Sequence, residues 1–290
     1  MIDSFLLAAN QFKRHKAAMV GLICLTVICI AVLIAPWIAP YDPIQIKLSE
    51  KLIPPSFEHF AGTDHFGRDV FSRLLYGGRA SISVGLLVVG FSFLIGVPLG
   101  LISGFWGGNL DNLLMRLVDA FLTLPPLLLA VALVGLLGPD IQNIILALGL
   151  VQAPVLARIV RGSTLVVRED LYVTAARALG AQSTRIIISH ILRNIISPIL
   201  VQLTIVFSAA VVAEASLSFL GFGTQPPQPS WGRDMSEARR FLGDAPWMFI
   251  GPTISIMLCV LSINFLGDGL RDALDPRAWI TRRSIDTDKK

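Results

Sequence analysis

The stretch 158–194 is the part of this sequence whose residue types point most directly to binding chemistry. It holds six arginines against two carboxylates, Glu169 and Asp170, so its balance of +4 equals the formal charge of the whole chain. The stretch is polar and helix-prone, yet long apolar runs flank it. It is either a docking surface for a soluble partner or an ordinary surface loop that its charge keeps in water.

The segment 170–180 within this stretch predicts a short helix with a defined start and end. Asp170 is a favourable N-cap, and Gly180 is a favourable stop because glycine adopts the left-handed conformation that ends many helices. Ser183 or Thr184 would then cap a second helix that runs toward Asn194. Two short helices joined at a glycine form a surface that a partner can grip.

Two carboxylates, Asp119 and Glu214, lie within otherwise apolar runs. A charged aspartate in hydrocarbon costs at least ~2.5 kcal/mol, so both side chains should face the protein interior or a watery path. Asp119 has a simple alternative, because Arg116 lies one helical turn away and can neutralise it. Glu214 either lines a polar cavity or is packed inside protein. Both are candidates for a translocation pathway.

The remaining reactive residues do not form a recognisable catalytic or metal site. The four histidines fall in unlike regions, so we expect no metal site formed by them, and the three cysteines lie in apolar runs. The sequence also lacks a phosphate-binding loop, a nucleophile elbow and a zinc-protease helix. We therefore expect no catalytic residue and no cofactor or metal bound by this chain. The histidines and cysteines are His15, His59, His65, His190, Cys24, Cys29 and Cys259.

The elements that position these residues are apolar helices of membrane-spanning length. The chain has 290 residues, of which 54% are hydrophobic and 15% charged, and its mean hydropathy is +0.70. Because a span needs roughly 20 apolar residues, these values predict an all-α integral membrane protein with six transmembrane helices. The predicted spans are 17–39, 81–103, 113–137, 141–157, 197–220 and 247–266.

The distribution of basic residues predicts the orientation. Sixteen of the 24 lysines and arginines fall in the N-terminal segment 1–16, at Arg116, in the loop 158–194 and in the tail 269–290. Because positive residues accumulate on the inner side, both termini and that loop should be cytoplasmic. The segment 40–78 is then extracytoplasmic, as extended chain and short helix. A second outer loop, 221–232, is too rich in proline and glycine for regular helix.

Two local patterns predict how the spans are built. Gly96, Gly100 and Gly104 recur every four residues, which places three glycines on one helix face and permits close packing of another helix. The Pro125-Pro126 pair should break or kink the third span near its middle.

Three blocks of the sequence together resemble a known family. The block 62–73, GTDHFGRDVFSR, continues to 78–85 and resembles the entry block of permeases from dipeptide, oligopeptide and nickel ABC importers. The blocks 214–232 and 264–277 are similar to its closing blocks. The likeness is closest to the C-type permease, and it implies a type I importer membrane domain over 79–268, with the first span, 17–39, as an addition.

The resemblance also implies a docking motif in the loop 158–194. In the family, the motif reads Glu-Ala-Ala, then a glycine, and later Ile/Leu-Leu-Pro. Here Ala175, Ala176 and Gly180 match, whereas Thr174 replaces the glutamate and Arg193 replaces the proline. We expect coupling to an ATPase through Thr174, Ala175, Ala176, Arg177, Gly180, Ile191 and Leu192.

The resemblance implies the partners and the activity. A second permease, two ATP-binding subunits that hold ATP and Mg²⁺, an extracytoplasmic binding protein and the lipid bilayer are expected, and nucleic acid is not. The chain would form half of an import pathway for peptides or a chelated metal such as nickel, in a bacterial inner membrane. The alternatives are a stand-alone transporter that relays protons through Asp119 and Glu214, and a membrane-embedded enzyme.

Overall fold

The computed structural model describes residues 11–274, and within them the chain is helical and has no β-strand. The expected all-α membrane fold is therefore confirmed. Single 3₁₀ turns lie at Leu48–Glu50 and Arg239–Phe241, and a π-helical turn lies at Ile187–Leu192. The α-helices are α1 (Lys16–Leu33), α2 (Ala35–Ile38), α3 (Val70–Trp106), α4 (Gly108–Leu122), α5 (Pro126–Leu137), α6 (Ile141–Val167), α7 (Leu171–Ala178), α8 (Ser183–Ile186), α9 (Arg193–Phe219), α10 (Trp231–Ala238) and α11 (Trp247–Leu274).

The described residues contain five helical segments that are long and apolar enough to cross a membrane: α1, α3, α6, the continuous segment Ser183–Phe219 and α11. A sixth crossing follows if α4 and α5 together count as one broken span, since they meet at an angle of 87°. The break falls at Pro125-Pro126, as the sequence predicts. Proline suits the first turn of α5 but has no N–H with which to continue α4.

The most extensively packed helix pair is α3 with α6, and small residues permit the close approach. A Cβ added at Gly96 would lie 2.7 Å from the carbonyl oxygen of Ala153, and one added at Gly100 would lie 2.5 Å from that of Ala157. A Cβ added at Gly104 would lie 2.7 Å from the Cβ of Thr164. The glycine repeat is thus a packing surface, as expected.

The bundle has two ends that differ in composition. The basic end contains residues 168–182, the connection between α6 and α8, and the proline-rich end contains residues 40–69 and 221–230. The sequence predicts that the basic end is cytoplasmic and the proline-rich end extracytoplasmic. The final residues of the tail 269–290, from 275 onward, lie outside the described part of the chain, as do the first ten residues.

The basic loop is shorter than the predicted 158–194. Helix α6 continues to Val167, so Arg158 and Arg161 lie on a long helix rather than in a loop. The predicted second helix is also not separate, because Ser183 begins a helical segment that runs without a gap to Phe219. Gln182, not Ser183 or Thr184, occupies its N-cap position. Carboxylates on α4 neutralise Arg158 and Arg161, so α6 can continue through both residues.

Candidate functional site

The short helix α7 at the basic end has the caps that the sequence predicts. Asp170 occupies the N-cap position, although its side chain makes no capping hydrogen bond. At the other end, Gly180 has a φ of +79°. The Gly180 N–H donates to the Arg177 carbonyl at 3.0 Å and the Ala181 N–H donates to the Ala176 carbonyl at 3.1 Å. These two bonds form a Schellman motif, which requires a left-handed residue at Gly180.

One face of α7 is anchored in the bundle. Val173 is fully buried, and it belongs to an apolar cluster with residues from α3, α6 and the segment from α8 to α9. Ile191 lies in the same cluster and is also fully buried, while Ala176 and Leu192 pack against it partly exposed. The cluster comprises Val97, Leu101, Phe105, Leu156, Val160, Val173, Ile186, Ile187, Ile191, Ile195 and Ile199. The cluster thus attaches α7 to three long helices.

The other face of α7 is open and apolar. Leu171 and Leu179 are each 88% exposed, and Thr174 and Ala175 between them are exposed as well. Leu171 is the first residue of α7 and Leu179 its C-cap, and with the small residues between them they form an exposed apolar ridge. Such a ridge can dock in an apolar cleft of a partner.

Of the predicted coupling residues, Thr174, Ala175, Arg177 and Gly180 are exposed, whereas Ile191 lies beneath the helix. Arg177 places its guanidinium 5.6 Å from the ring centre of Phe105, at the end of α3. The cation thus reinforces the attachment of α7 to α3.

Asp119 does not pair with Arg116. Its carboxylate makes a salt bridge with Arg158 on α6, and both side chains are more than half exposed. A second pair lies close by and deeper, since Arg161 donates from Nε and Nη2 to the two carboxylate oxygens of Asp111, each at 2.6 Å. Ser103 on α3 also donates to Asp111, at 2.9 Å. Together these contacts attach α4 to the basic ends of α3 and α6.

Glu214 is enclosed by protein rather than facing a cavity. It is 1% exposed, and its carboxylate accepts hydrogen bonds from Ser81 on α3 at 2.9 Å and from Ser218, one turn along α9, at 2.7 Å. Directly beside it, Gly232 of α10 lies so close that an added Cβ would be 2.5 Å from the Cα of Ala215. Glu214 therefore joins α3 to α9, and α10 packs closely beside it. Among the described residues, no hydrogen bond or salt bridge links Glu214 to Asp119, which instead pairs with Arg158.

A buried charge network joins the segment 40–69 to α10 at the proline-rich end. Arg73 pairs with Asp234, and Arg68 pairs with Asp64 at 2.5 Å and with Glu237 at 2.6 Å. Burial raises the pKa of Asp234 to about 6, although Arg73 opposes the shift. The pKa of Glu237 is lowered because the attraction of Arg68 and Arg73 outweighs the opposite effect of burial.

Three residues beside this network have the residue types of a metal site. The ligand atoms of Asp64, His65 and Glu237 lie within 4.8 Å of one another. The guanidinium of Arg68, however, already bonds to both carboxylates. Burial further lowers the pKa of His65. Asp64 and Glu237 are thus explained as members of an ion-pair network, whereas the His65 ring lies against Phe66 and Phe241. The sequence could not reveal the network because Arg68 and Glu237 are 169 positions apart.

The long apolar helices define a multi-pass membrane protein, with the short helix α7 packed against one end of the bundle. The bundle is similar to a chain of the MetNI methionine ABC transporter in an inward-facing conformation, with a TM-score of 0.60 at 20% identity over 71% of this chain and 97% of that one. This likeness concerns the fold alone. The match agrees with the all-α membrane architecture that the sequence predicts.

The chain belongs to the family described as binding-protein-dependent transport system inner membrane component, whose model matches residues 96–280. A second model, the N-terminal TM domain of oligopeptide transport permease C, matches residues 4–55. The resemblance drawn from the three sequence blocks is therefore confirmed. The protein is a multi-pass inner membrane permease of the ABC importer class.

Curated relatives match almost the full chain. The dipeptide transport system permease protein DppC of Alkalihalophilus pseudofirmus is 44% identical over 93% of this chain and 89% of its own length. The di/tripeptide transport system permease protein DppC of Pseudomonas aeruginosa is 42% identical over 92% and 90%. The glutathione transport system permease protein GsiD of Escherichia coli is 41% identical over 92% and 89%.

Proposed function

We propose that this chain forms half of the translocation pathway of an ATP-driven importer for short peptides. Its partners are a second, homologous permease, two cytoplasmic ATPase subunits that bind ATP and Mg²⁺, and an extracytoplasmic binding protein that delivers the peptide. The observation that carries the proposal is the two-sided character of α7. One face is locked into the apolar cluster of three long helices, and the other presents Leu171 and Leu179 for docking.

Short peptides are the substrate class that the relatives favour. Dipeptides, di/tripeptides and glutathione all contain peptide bonds, and these are the substrates for which the three relatives are named. We therefore favour a short peptide over a chelated metal such as nickel.

The orientation follows from the charges at the basic end. Arg168, Arg177, Arg185 and Arg193 lie there within 26 residues, and such clusters remain on the cytoplasmic side of the membrane. Helix α7 is then cytoplasmic, where ATPase subunits are found, and so are both termini. The proline-rich end meets the binding protein on the outside.

The energy of ATP reaches the pathway as movement of rigid helices. Closure of the ATPase pair on ATP would displace the docked α7, and the apolar cluster beneath it would carry the displacement into α3, α6 and α9. Because a packed cluster resists compression, the helices would move as rigid bodies and alternate the side to which the pathway opens. The chain supplies no group for ATP hydrolysis in this scheme, which belongs to the partner subunits.

The experiment is to tag the chain in its native cell, purify it in mild detergent, identify the proteins that accompany it and assay the complex in vesicles. We expect a second permease and ATPase subunits, and peptide uptake that requires ATP and persists when a protonophore collapses the proton gradient. A chain that purifies alone and drives uptake from a proton gradient without ATP would establish the stand-alone transporter instead.

A further inference from the structure

A recess of about 470 Å³ lies at the proline-rich end, on the side expected to receive substrate. Three separate segments line it: the first turns of α3, the connection between α5 and α6, and the loop that precedes α10. The volume falls within the range of about 300–1,000 Å³ that is usual for small-molecule sites. Three polar groups lie in its wall: Arg79, Asp140 and Thr224.

Arg79 supplies a fixed positive charge without a neutralising partner. Its Nε donates to the Val32 carbonyl at 3.0 Å and its Nη2 donates to the Leu33 carbonyl at 2.9 Å. These bonds hold the guanidinium at the end of α1. Among residues 11–274, no carboxylate lies within salt-bridge distance of it.

Asp140 supplies the opposite charge. Its Oδ1 accepts a hydrogen bond from the Gln142 N–H at 2.9 Å, which makes it the N-cap of α6. Within the described range it pairs with no lysine, arginine or histidine. In the same wall, the Thr224 hydroxyl oxygen is buried and lacks a hydrogen-bond partner in the described part of the protein. A buried hydroxyl is rarely left unbonded.

We propose that this recess binds the zwitterionic ends of a short peptide while it passes from the binding protein into the pathway. The peptide ammonium would pair with Asp140, the terminal carboxylate with Arg79, and a backbone amide with the Thr224 hydroxyl. One ligand thereby satisfies an unpaired cation, an unpaired anion and an orphan hydroxyl that share one recess. The inference rests on the proposed function, since it assumes that the transported solute is a peptide.

The test uses the assembled importer in membrane vesicles that carry no binding protein. A Gln228→Cys variant places a thiol in the wall of the recess, and the rate at which a membrane-impermeant maleimide modifies it is measured with and without L-alanyl-L-alanine. Wild-type protein gives the background from the native cysteines. Phe57→Cys is the matched control, because Phe57 is 99% exposed at the same end and does not line the recess.

We expect the dipeptide to slow modification of Gln228→Cys but not of Phe57→Cys. N-acetyl-L-alanyl-L-alanine amide, which lacks both charges, should protect poorly. Asp140→Asn should raise the half-protecting dipeptide concentration about tenfold or more, because a charge-assisted bond is lost while asparagine still caps α6. If Gln228→Cys does not assemble, Gln225→Cys in the same wall takes its place.

Three results would overturn the proposal: no protection by the dipeptide, equal protection by the blocked peptide, or protection that Asp140→Asn leaves unchanged. Protection by the purified binding protein alone would show that the recess is a docking surface for that protein. A second assay measures ATP-driven uptake of the dipeptide by wild-type importer with binding protein added. It tests the proposed function separately from the recess assignment. If uptake fails, the proposed function fails; if uptake succeeds without protection, only the recess assignment fails.

Discussion

Arg161 forms a bidentate salt bridge with Asp111. Its Nε donates to Oδ1 and its Nη2 donates to Oδ2, each at 2.6 Å. The Asp111 side chain is only 10% exposed, and the two residues are 50 positions apart in the chain. The contact joins α4 to α6 at the basic end. The neighbouring pair, Asp119 with Arg158, joins the same two helices but is more than half exposed.

The two pairs should differ in their contribution to stability. We expect Asp111→Asn to lower the free energy of unfolding by about 2 kcal/mol, because a bidentate, largely buried bond to a charged group is lost. Asp119→Asn is the control and should cost less than about 1 kcal/mol, since water screens that pair. Denaturant or thermal unfolding in detergent measures both, and equal losses would contradict this reading of the geometry.

Gly180 should tolerate asparagine but not valine. Its φ is +79° and no atom outside its immediate neighbours lies within 4 Å of an added Cβ, so the restriction comes from the backbone alone. Valine in a left-handed conformation costs about 1–2 kcal/mol, whereas asparagine adopts it more readily. We expect ATP-driven uptake to be lost in Gly180→Val and largely kept in Gly180→Asn, at matched expression. Wild-type uptake by the valine variant would remove α7 from the coupling mechanism.

Leu171 should be needed for ATPase docking but not for folding. At 88% exposed it contributes little to the packing of the isolated chain, so Leu171→Asp should leave thermal stability near wild type. We expect it to reduce recovery of the ATPase subunit on purification by tenfold or more, the effect of about 1.4 kcal/mol or more of lost binding. Phe57→Asp makes the same change at the opposite end and should leave recovery intact. A reduction in both variants would indicate a general folding defect.

Glu214 should act as a structural connection between helices rather than as a proton carrier. Glu214→Leu leaves the hydroxyls of Ser81 and Ser218 buried without their acceptor, at about 1–3 kcal/mol for each unsatisfied group. Adding Ser81→Ala and Ser218→Ala removes those groups, so the triple variant should regain part of the lost stability. Failure of the serine changes to restore any stability would contradict the assignment.

Asp234 should make stability depend on pH in a defined window. Its folded-state pKa is about 6, above the unfolded value of about 3.9, so the folded protein holds this proton more tightly. The free energy of unfolding should therefore rise as the pH falls from about 6 to about 4, by up to about 2–3 kcal/mol. Asp234→Asn should flatten this rise.

The control for that titration is Asp244→Asn, at an exposed position of the same end, which should leave the slope unchanged. Glu237 has the opposite effect on stability. Its pKa is lowered in the folded protein, so the stability that it contributes is lost as the pH falls through its folded-state pKa. Equal pH slopes for wild type and Asp234→Asn between pH 4 and 6 would show that Asp234 does not titrate there.

Local sequence patterns were enough to predict the helices, the break between α4 and α5, and both ends of α7. Apolar runs of spanning length, a proline pair and a glycine in a left-handed conformation act through the backbone within a few residues, so no distant partner is needed. The glycine repeat at Gly96, Gly100 and Gly104 belongs to the same category, because small residues on one face permit close approach whatever the partner helix is.

The ends of the basic loop and the partners of the charged residues were decided only by the tertiary structure. Arginine at 158 and 161 reads as loop, yet α6 continues through both because α4 brings Asp119 and Asp111 alongside. Asp119 accordingly pairs across helices rather than with its neighbour Arg116. Glu214 is likewise enclosed by serines that only the packing of α3 and α9 brings together.

One physical reason explains why some features could be predicted from the sequence and others could not. Helix formation, and helix ends set by a proline pair or by a left-handed glycine, depend on each residue's own backbone and on neighbours within about four positions, so the sequence alone determined these features. Ion pairs, buried hydrogen bonds and the recess at Arg79 and Asp140 depend on side chains that are far apart in the chain. Only the packing of the helices decided which of these groups meet.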